Sequence, residues 1–208
     1  MNLPSRQEPP VYAYVLHGNC YLNLTNRCNL RCRFCPRLEN EWDVQDYNLR
    51  MTLKQEPGAA ELLSAVGDPK DFQEVVFCGL GEPTLRLETL LQTGRALRQR
   101  GARVRLDTNG LANQYHGRDV TPELATAVDA ISISLNAQNE ATYERYCRPK
   151  QPGAYAALLD FIQRVREHIS DVTVTAIDGL EGVDIDACAR LAADLGVKFR
   201  RRVLDQIG

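Results

Sequence analysis

Short strand-like runs alternate with amphipathic helical segments along most of this chain. The predicted strands cover residues 20–25, 74–79, 103–108, 130–136, 172–177 and 198–203. The predicted helices lie at residues 57–67, 87–100, from Thr121-Pro122 onward, 155–169 and 184–195. Elements in this order build a parallel sheet, because each helix carries the chain back across the sheet by a right-handed connection. The alternation therefore predicts an α/β fold, and the turn at His17-Gly18-Asn19 predicts a short β-hairpin at the N-terminal edge.

The size and composition of the chain indicate one ordinary globular domain. Its 208 residues are enough for a single core, so we expect one domain over residues 1–208. The apolar stretches are too short for a membrane span. The first ten residues lack the pattern of an export signal, so we expect a cytoplasmic protein. In a reducing compartment, an odd count of seven cysteines indicates metal binding or reactive thiols rather than disulfides.

Most of the predicted strands alternate apolar with polar residues. In residues 130–136, for example, Ile131, Ile133 and Leu135 alternate with Ser132, Ser134 and Asn136. If the apolar set faces the helices, the polar set lines the inside of the sheet. A filled core would leave these groups unpaired, so we expect the interior to hold water or a polar ligand. An open sheet with one solvated face is the alternative.

Three cysteines follow the first predicted strand at the spacing CxxxCxxC: Cys28, Cys32 and Cys35. Thiolates so close together in a loop can converge on one soft metal centre. Four cysteines would close a structural site, whereas three leave one position open for an exchangeable ligand. The spacing therefore predicts a reactive metal centre. The alternative is a non-catalytic zinc scaffold, with His17 or Cys20 as the fourth ligand.

This loop resembles the signature of the radical S-adenosylmethionine (radical SAM) superfamily, with the aromatic Phe34 just before the last cysteine. Residues 78–84, CGLGEPT, resemble the glycine-glycine-glutamate-proline motif of the same superfamily, except that Leu80 separates the two glycines. The resemblance implies a partial (β/α)6 TIM-like radical SAM barrel that is open on one side. It also implies an enzyme that uses a [4Fe–4S] cluster and S-adenosylmethionine.

The resemblance also implies roles for individual residues. Cys28, Cys32 and Cys35 would ligate three irons, and the fourth iron would bind S-adenosylmethionine. Reductive cleavage would then give a 5'-deoxyadenosyl radical that abstracts a hydrogen from a substrate. The remaining cofactor contacts would come from Gly79, Gly81 and Glu82 at the methionine ammonium, Ser134 and Asn136 at the ribose, Phe34 at the adenine, and, more weakly, Asp107 and Asn109.

Several segments together resemble the radical SAM proteins associated with TatD-type nucleases. These segments are residues 21–37, 75–87, 108–113, 117–124 and 131–137, together with YCRP at 146–149. That resemblance implies a functional association with a TatD-type nuclease but no substrate. A carboxy-deazaguanine-synthase-like ring-contracting enzyme and a glycyl-radical activase are the alternatives. The electron is expected from an external flavodoxin or ferredoxin-type donor, no membrane is involved, and the sequence indicates no oligomeric state.

Two hypotheses concern the substrate. Arg105, Arg200 and Arg202 would line the open side of the barrel and recognise an anionic group. Cys147, expected in a loop after the fourth strand, would face the substrate as a hydrogen donor or thiol. Four further arginines surround the cysteine loop, where they would offset thiolate charge, dock an acidic electron donor, or simply remain solvated: Arg27, Arg31, Arg33 and Arg37.

Overall fold

The structure, a computed structural model, describes residues 9–204. The expectation that the chain has no export signal rests on its first ten residues, and most of these lie outside the described residues. The strands are β1 (Ala13–Leu16), β2 (Asn19–Asn23), β3 (Asp43–Val44), β4 (Tyr47–Asn48), β5 (Val75–Cys78), β6 (Val104–Thr108), β7 (Ala130–Ser134), β8 (Asp171–Asp178) and β9 (Lys198–Val203). The helices are α1 (Ala59–Val66), α2 (Leu87–Gln99), α3 (Ala112–His116), α4 (Thr121–Ala125), α5 (Glu140–Cys147), α6 (Ala154–Val165) and α7 (Ile185–Asp194).

Seven strands form one sheet in the order β1-β2-β5-β6-β7-β8-β9. Every neighbouring pair is parallel except β1 and β2, which form the predicted antiparallel hairpin. His17 and Gly18 both adopt positive φ in the two-residue turn that joins them. Within residues 9–204 no pairing joins β1 to β9. The parallel pairing of neighbouring strands and their alternation with helices confirm the predicted α/β class and parallel sheet.

The two faces of the sheet differ as the alternation predicted. Leu22, Leu106, Ile133 and Val174 are fully buried in the core formed with the helices. The opposite face carries polar side chains in rows, because the strands are paired in register. One row contains Asp107, Ser132 and Thr173, and the next contains Ser134, Thr175 and Arg200.

The helices depart from expectation at three places. Thr121 is the first residue of α4 rather than its cap, since the carboxylate of Asp119 accepts from both its amide and its hydroxyl. Helices α3 and α5 were not predicted. Helix α5 is capped by Asn139, whose side chain accepts from the amide of Thr142. Within the described part of the chain, no helix has the length and apolar content needed to cross a membrane.

Candidate functional site

The predicted site residues gather at the carboxyl edge of the parallel sheet. The cysteine loop follows β2, the glycine-rich segment follows β5, Asn109 follows β6, and Asn136 follows β7. Strands that run parallel end at the same edge, which is where α/β folds place their ligands. The topology therefore brings together motifs that lie up to about 100 residues apart in the sequence.

The cysteine loop is held in place by backbone hydrogen bonds to the end of α5 and to the glycine-rich segment. The amides of Arg31 and Arg33 donate to the carbonyls of Cys147 and Tyr146, at 3.1 and 2.8 Å. The amide of Glu82 donates to the carbonyl of Arg27 at 2.8 Å. The loop is thus fixed from both sides before any ligand binds.

Each of the three cysteine sulfurs has a polar neighbour. The amide of Leu30 donates to the sulfur of Cys28 at 3.4 Å, and Nε of Arg37 donates to that of Cys35 at the same distance. The neighbour of the Cys32 thiol is Cys147, which the backbone bonds place beside the loop and which raises the pKa of Cys32. N–H donors of this kind stabilise sulfur that carries negative charge, as it does when it is bound to a metal.

Burial, together with the charge of Glu82, raises the pKa of Cys28 to about 11. The pKa of Cys32 is also raised, by its hydrogen bond with Cys147 and by burial. Any metal that binds here must therefore displace protons.

A zinc site that adds His17 or Cys20 does not fit this arrangement. His17 lies in the turn before β2 and Cys20 near its start, whereas the cysteine loop follows its end. The two ends of this five-residue strand are four residue steps apart, which is about 13 Å. Among residues 9–204, no three or more His, Cys, Asp or Glu side chains, those of the cysteine loop included, lie close enough together to hold a single metal ion.

Both motif glycines lie where a side chain would not fit. Gly79 has a φ of 106°, and a Cβ there would lie 2.7 Å from Oδ1 of Asn23. A Cβ on Gly81 would lie 2.0 Å from the carbonyl oxygen of Thr25. Gly81 therefore allows the cysteine loop to dock. The inserted Leu80 packs against the small apolar cluster of Tyr14, Leu16 and Leu49, which explains why a hydrophobic residue fits there.

Glu82 is 2% exposed, and its carboxylate accepts four hydrogen bonds. The donors are the amide and hydroxyl of Thr84, the hydroxyl of Thr108 and the amide of Asn109. Burial raises the pKa of this carboxyl, although the hydrogen bonds oppose the shift. Its oxygens thus tie two strand ends together. Thr84 and Thr108 are not among the residues predicted from the sequence, although Thr84 lies beside the glycine motif and Thr108 at the end of a strand.

Asn109 and Asn136 are buried and already hydrogen-bonded. Nδ2 of Asn109 donates to Oδ1 of Asn29 at 2.6 Å, and the backbone amide of Asn109 donates to the carboxylate of Glu82. Asn136 accepts from Arg202 and donates toward the sulfur of Cys147. Ser134 is partly exposed on the polar face of the sheet, and Phe34 packs at the border of the core. The two asparagine side chains therefore support the site rather than offering free groups to a cofactor.

The three arginines expected at the substrate differ in their partners. Arg105 pairs with Glu74 at 2.9 Å and with Asp107, so its expected role in recognising a substrate is not supported. Burial opposes its charge, but the two carboxylates outweigh that effect and raise the pKa of Arg105. Arg200 and Arg202 pair with no carboxylate in the described part of the chain. Nε of Arg202 is buried without a hydrogen-bond partner there, and burial and the nearby Arg200 lower the pKa of Arg202.

The position of Cys147 also differs from the one predicted from the sequence. It is the last residue of α5 rather than part of a loop, and it is fully buried. Its thiol therefore faces Cys32 and Asn136 and not a surface that a substrate can reach. Cys78 is partly exposed as a residue, but its thiol is buried beside Asp107 on the polar face, and this burial raises the pKa of the thiol to about 12.

Comparison with known proteins agrees with the family resemblance of the cysteine loop and the glycine-rich segment. The family model described as the radical SAM superfamily matches residues 22–195. The tungsten-containing aldehyde ferredoxin oxidoreductase cofactor-modifying protein of Pyrococcus furiosus is 27% identical over 188 residues, which cover 85% of this chain and 48% of that protein. A GTP 3',8-cyclase of Corynebacterium glutamicum is 27% identical over 185 residues, covering 86% and 47%.

The fold also matches solved structures. SuiB of Streptococcus suis, bound to its precursor peptide SuiA, superposes with a TM-score of 0.65 at 15% identity, covering 89% of this chain and 39% of SuiB. SuiB bound to S-adenosylmethionine gives a TM-score of 0.64 at 13% identity, covering 90% and 40%. This chain spans about half the length of the curated relatives it matches.

Proposed function

Because this chain belongs to the radical SAM superfamily of enzymes, we propose that Cys28, Cys32 and Cys35 hold a [4Fe–4S] cluster that cleaves S-adenosylmethionine. One observation carries this proposal: the three cysteines lie in a loop fixed at the carboxyl edge of the sheet, with a polar neighbour at each sulfur. When bound, the cluster would supply the electron for the reductive cleavage of S-adenosylmethionine, which would provide a radical for hydrogen abstraction from a substrate. Three cysteine ligands would leave the fourth iron available to S-adenosylmethionine.

The residues around the loop also fit S-adenosylmethionine. Oδ1 of Asn23 is a buried acceptor with no partner among the described residues, and it lies beside Gly79. A methionine ammonium is a matching donor. We assign Gly79 and Gly81 to its cradle, Ser134 to the ribose and Phe34 to the adenine. Glu82, Asn109 and Asn136 would position this cradle, because their side chains are already hydrogen-bonded.

The substrate that we propose carries an anionic group. Arg202 brings a buried, unpartnered donor to the polar face, and Arg200 adds a second charge beside it. Guanidinium groups bind carboxylate and phosphate in pairs of hydrogen bonds. Because the Corynebacterium relative is named as a GTP 3',8-cyclase, GTP is the first polyanion to test. GTP should bind the reconstituted wild type more tightly than the Arg202→Gln variant, whereas neutral guanosine should not distinguish them.

The cysteine loop also offers a surface for an electron donor. Arg31 and Arg33 flank Cys32 and are exposed, and neither forms an ion pair within the described residues. An acidic flavodoxin or ferredoxin would be attracted to this surface. The other two arginines of the loop already have partners: Arg27 pairs with Glu56, and Arg37 donates to Cys35 and Asn26.

This proposal also includes four expectations from the sequence. They are a partial, laterally open barrel, a single domain, a cytoplasmic location and a functional association with a TatD-type nuclease.

Anaerobic reconstitution with iron and sulfide tests the proposal. The wild type should bind about four irons per chain and, with a strong reductant, convert S-adenosylmethionine to methionine and 5'-deoxyadenosine. Variants with alanine at Cys28, Cys32 or Cys35 should lose both properties, whereas Cys188→Ala, in the core on α7, should keep them. Colourless protein with one tight zinc would support the scaffold instead. A ring-contracted product would identify the synthase alternative, and a glycyl radical in a partner would identify the activase.

A further inference from the structure

The thiol of Cys147 lies alongside the proposed cluster ligands, although the function proposed above gives it no role. The backbone bonds from Arg31 and Arg33 to Cys147 and Tyr146 place the end of α5 directly beside the cysteine loop. These bonds lie on either side of Cys32, and a side-chain hydrogen bond with Cys147 is the largest cause of the raised pKa of Cys32. Cys147 is fully buried, so neither solvent nor substrate competes for its proton.

The contacts of Asn136 determine the direction of the hydrogen bonds made by the Cys147 thiol. Nη2 of Arg202 lies 3.1 Å from Oδ1 of Asn136, and a guanidinium can only donate. The amide oxygen of Asn136 therefore faces Arg202, which turns its nitrogen toward Cys147, where it lies 3.6 Å from the sulfur. The Cys147 sulfur thus accepts from Asn136 and keeps its own S–H for another acceptor. The sulfur of Cys32 is that acceptor once it is bound to iron as a thiolate.

We propose that Cys147 is a positioning residue for the cluster, whose S–H donates a hydrogen bond to the Cys32 sulfur and raises the cluster's reduction potential. This inference rests on the function proposed above. An added electron increases the negative charge on the cluster sulfurs, so a donor there stabilises the reduced state more than the oxidised state. The cluster then accepts an electron more readily from its external donor.

The test measures the reduction potential of the reconstituted cluster, by redox titration followed by electron paramagnetic resonance, without S-adenosylmethionine or substrate. Cys147→Ala removes the donor and should lower the potential. Cys147→Val fills the space without a donor and should lower it in the same direction, which separates the hydrogen bond from an effect of the cavity. Cys147→Ser restores an O–H donor and should bring the potential back toward the wild type. Cys188→Ala, an equally buried cysteine, should leave it unchanged.

Iron content is measured first in every variant. Wild-type protein that binds no cluster would refute the proposed function. Wild type with a full cluster whose potential is the same in Cys147→Ala and Cys147→Val would overturn this inference alone. An equal decrease in Cys147→Ser and Cys147→Ala would also overturn it, since the proton would then have no part. If one of the non-donating variants fails to fold, the other gives the comparison.

Discussion

Nδ2 of Asn109 donates to Oδ1 of Asn29 at 2.6 Å and lies 3.8 Å from the sulfur of Cys28. Asn109 follows β6, and Asn29 lies inside the cysteine loop, 80 residues earlier in the chain. This contact, with the bond from the Asn109 amide to Glu82, joins the loop to the strand ends. The geometry of the proposed ligands thus depends on side chains that do not bind metal.

Asn109→Ala should weaken cluster binding about 10–100-fold, as is usual for outer partners of metal ligands. The alanine leaves Asn29 without its donor and the loop without its tie to β6. Titration of the apoprotein with iron and sulfide, followed by absorption, measures the effect. Asn113→Ala is the matched control, because among the described residues the Asn113 side chain bonds to Asp119 and Val120 and not to the cysteine loop. Equal cluster binding in both variants would contradict this account of Asn109.

Gly81→Ala should prevent the cysteine loop from docking. Its Cβ would lie 2.0 Å from the oxygen of Thr25 and 2.8 Å from that of Arg27, both of them backbone atoms. Forcing the backbone apart should cost about 3 kcal/mol of unfolding free energy. Gly58→Ala serves as control, because only a side-chain oxygen of Glu61 comes near, and it should cost under about 1 kcal/mol. Urea denaturation of the apoproteins compares them, and similar midpoints would be evidence against the close approach.

Glu82→Gln should destabilise the apoprotein by about 2–4 kcal/mol, because an amide replaces one of two acceptor oxygens with a donor that faces other donors. Thr84, Thr108 and Asn109 would then compete for a single oxygen. Glu88→Gln, an exposed residue on α2, should change stability by less than about 0.5 kcal/mol. Chemical denaturation measures both variants. A stable Glu82→Gln protein would mean that the carboxylate does not tie the strand ends.

The amino edge of the sheet should make stability depend on acid pH. Burial favours the neutral form of Glu74, but Arg105 and Arg103 outweigh it and lower its pKa. Lys198 and then Arg103 lower that of Asp171, although burial opposes the shift. Because both pKa values lie below those of the unfolded chain, their stabilisation is complete above about pH 4.5 and is lost as the pH falls further. Glu74→Gln should flatten the decrease in melting temperature below pH 4.5, whereas Glu181→Gln, on an exposed loop, should not. Parallel curves for wild type and Glu74→Gln would refute this assignment.

The sequence predicted the strands well, because alternation of apolar and polar residues has a direct counterpart in burial. Ile131 and Ile133 are buried with the helices, whereas Ser134 is partly exposed on the other face, as expected. The resemblance of the cysteine loop and of residues 78–84 to the radical SAM superfamily is likewise confirmed by the family model.

The sequence did not reveal which polar residues already have partners. The ion pair of Arg105 with Glu74 joins residues 31 positions apart, and its geometry depends on the register of the strands. Helix α5 was missed because only Asn139 signals its start, so Cys147 was expected in a loop. Pairing across strands and the exact path of short connections follow from tertiary packing, which a local pattern does not contain.

The most direct test of the central claim is the electron paramagnetic resonance spectrum of the reduced, reconstituted protein with and without S-adenosylmethionine. If three cysteines leave one iron open, the cluster should give a signal that changes when S-adenosylmethionine is added, and alanine at Cys32 should abolish it. A fully loaded cluster whose spectrum stays the same at saturating S-adenosylmethionine would contradict the account.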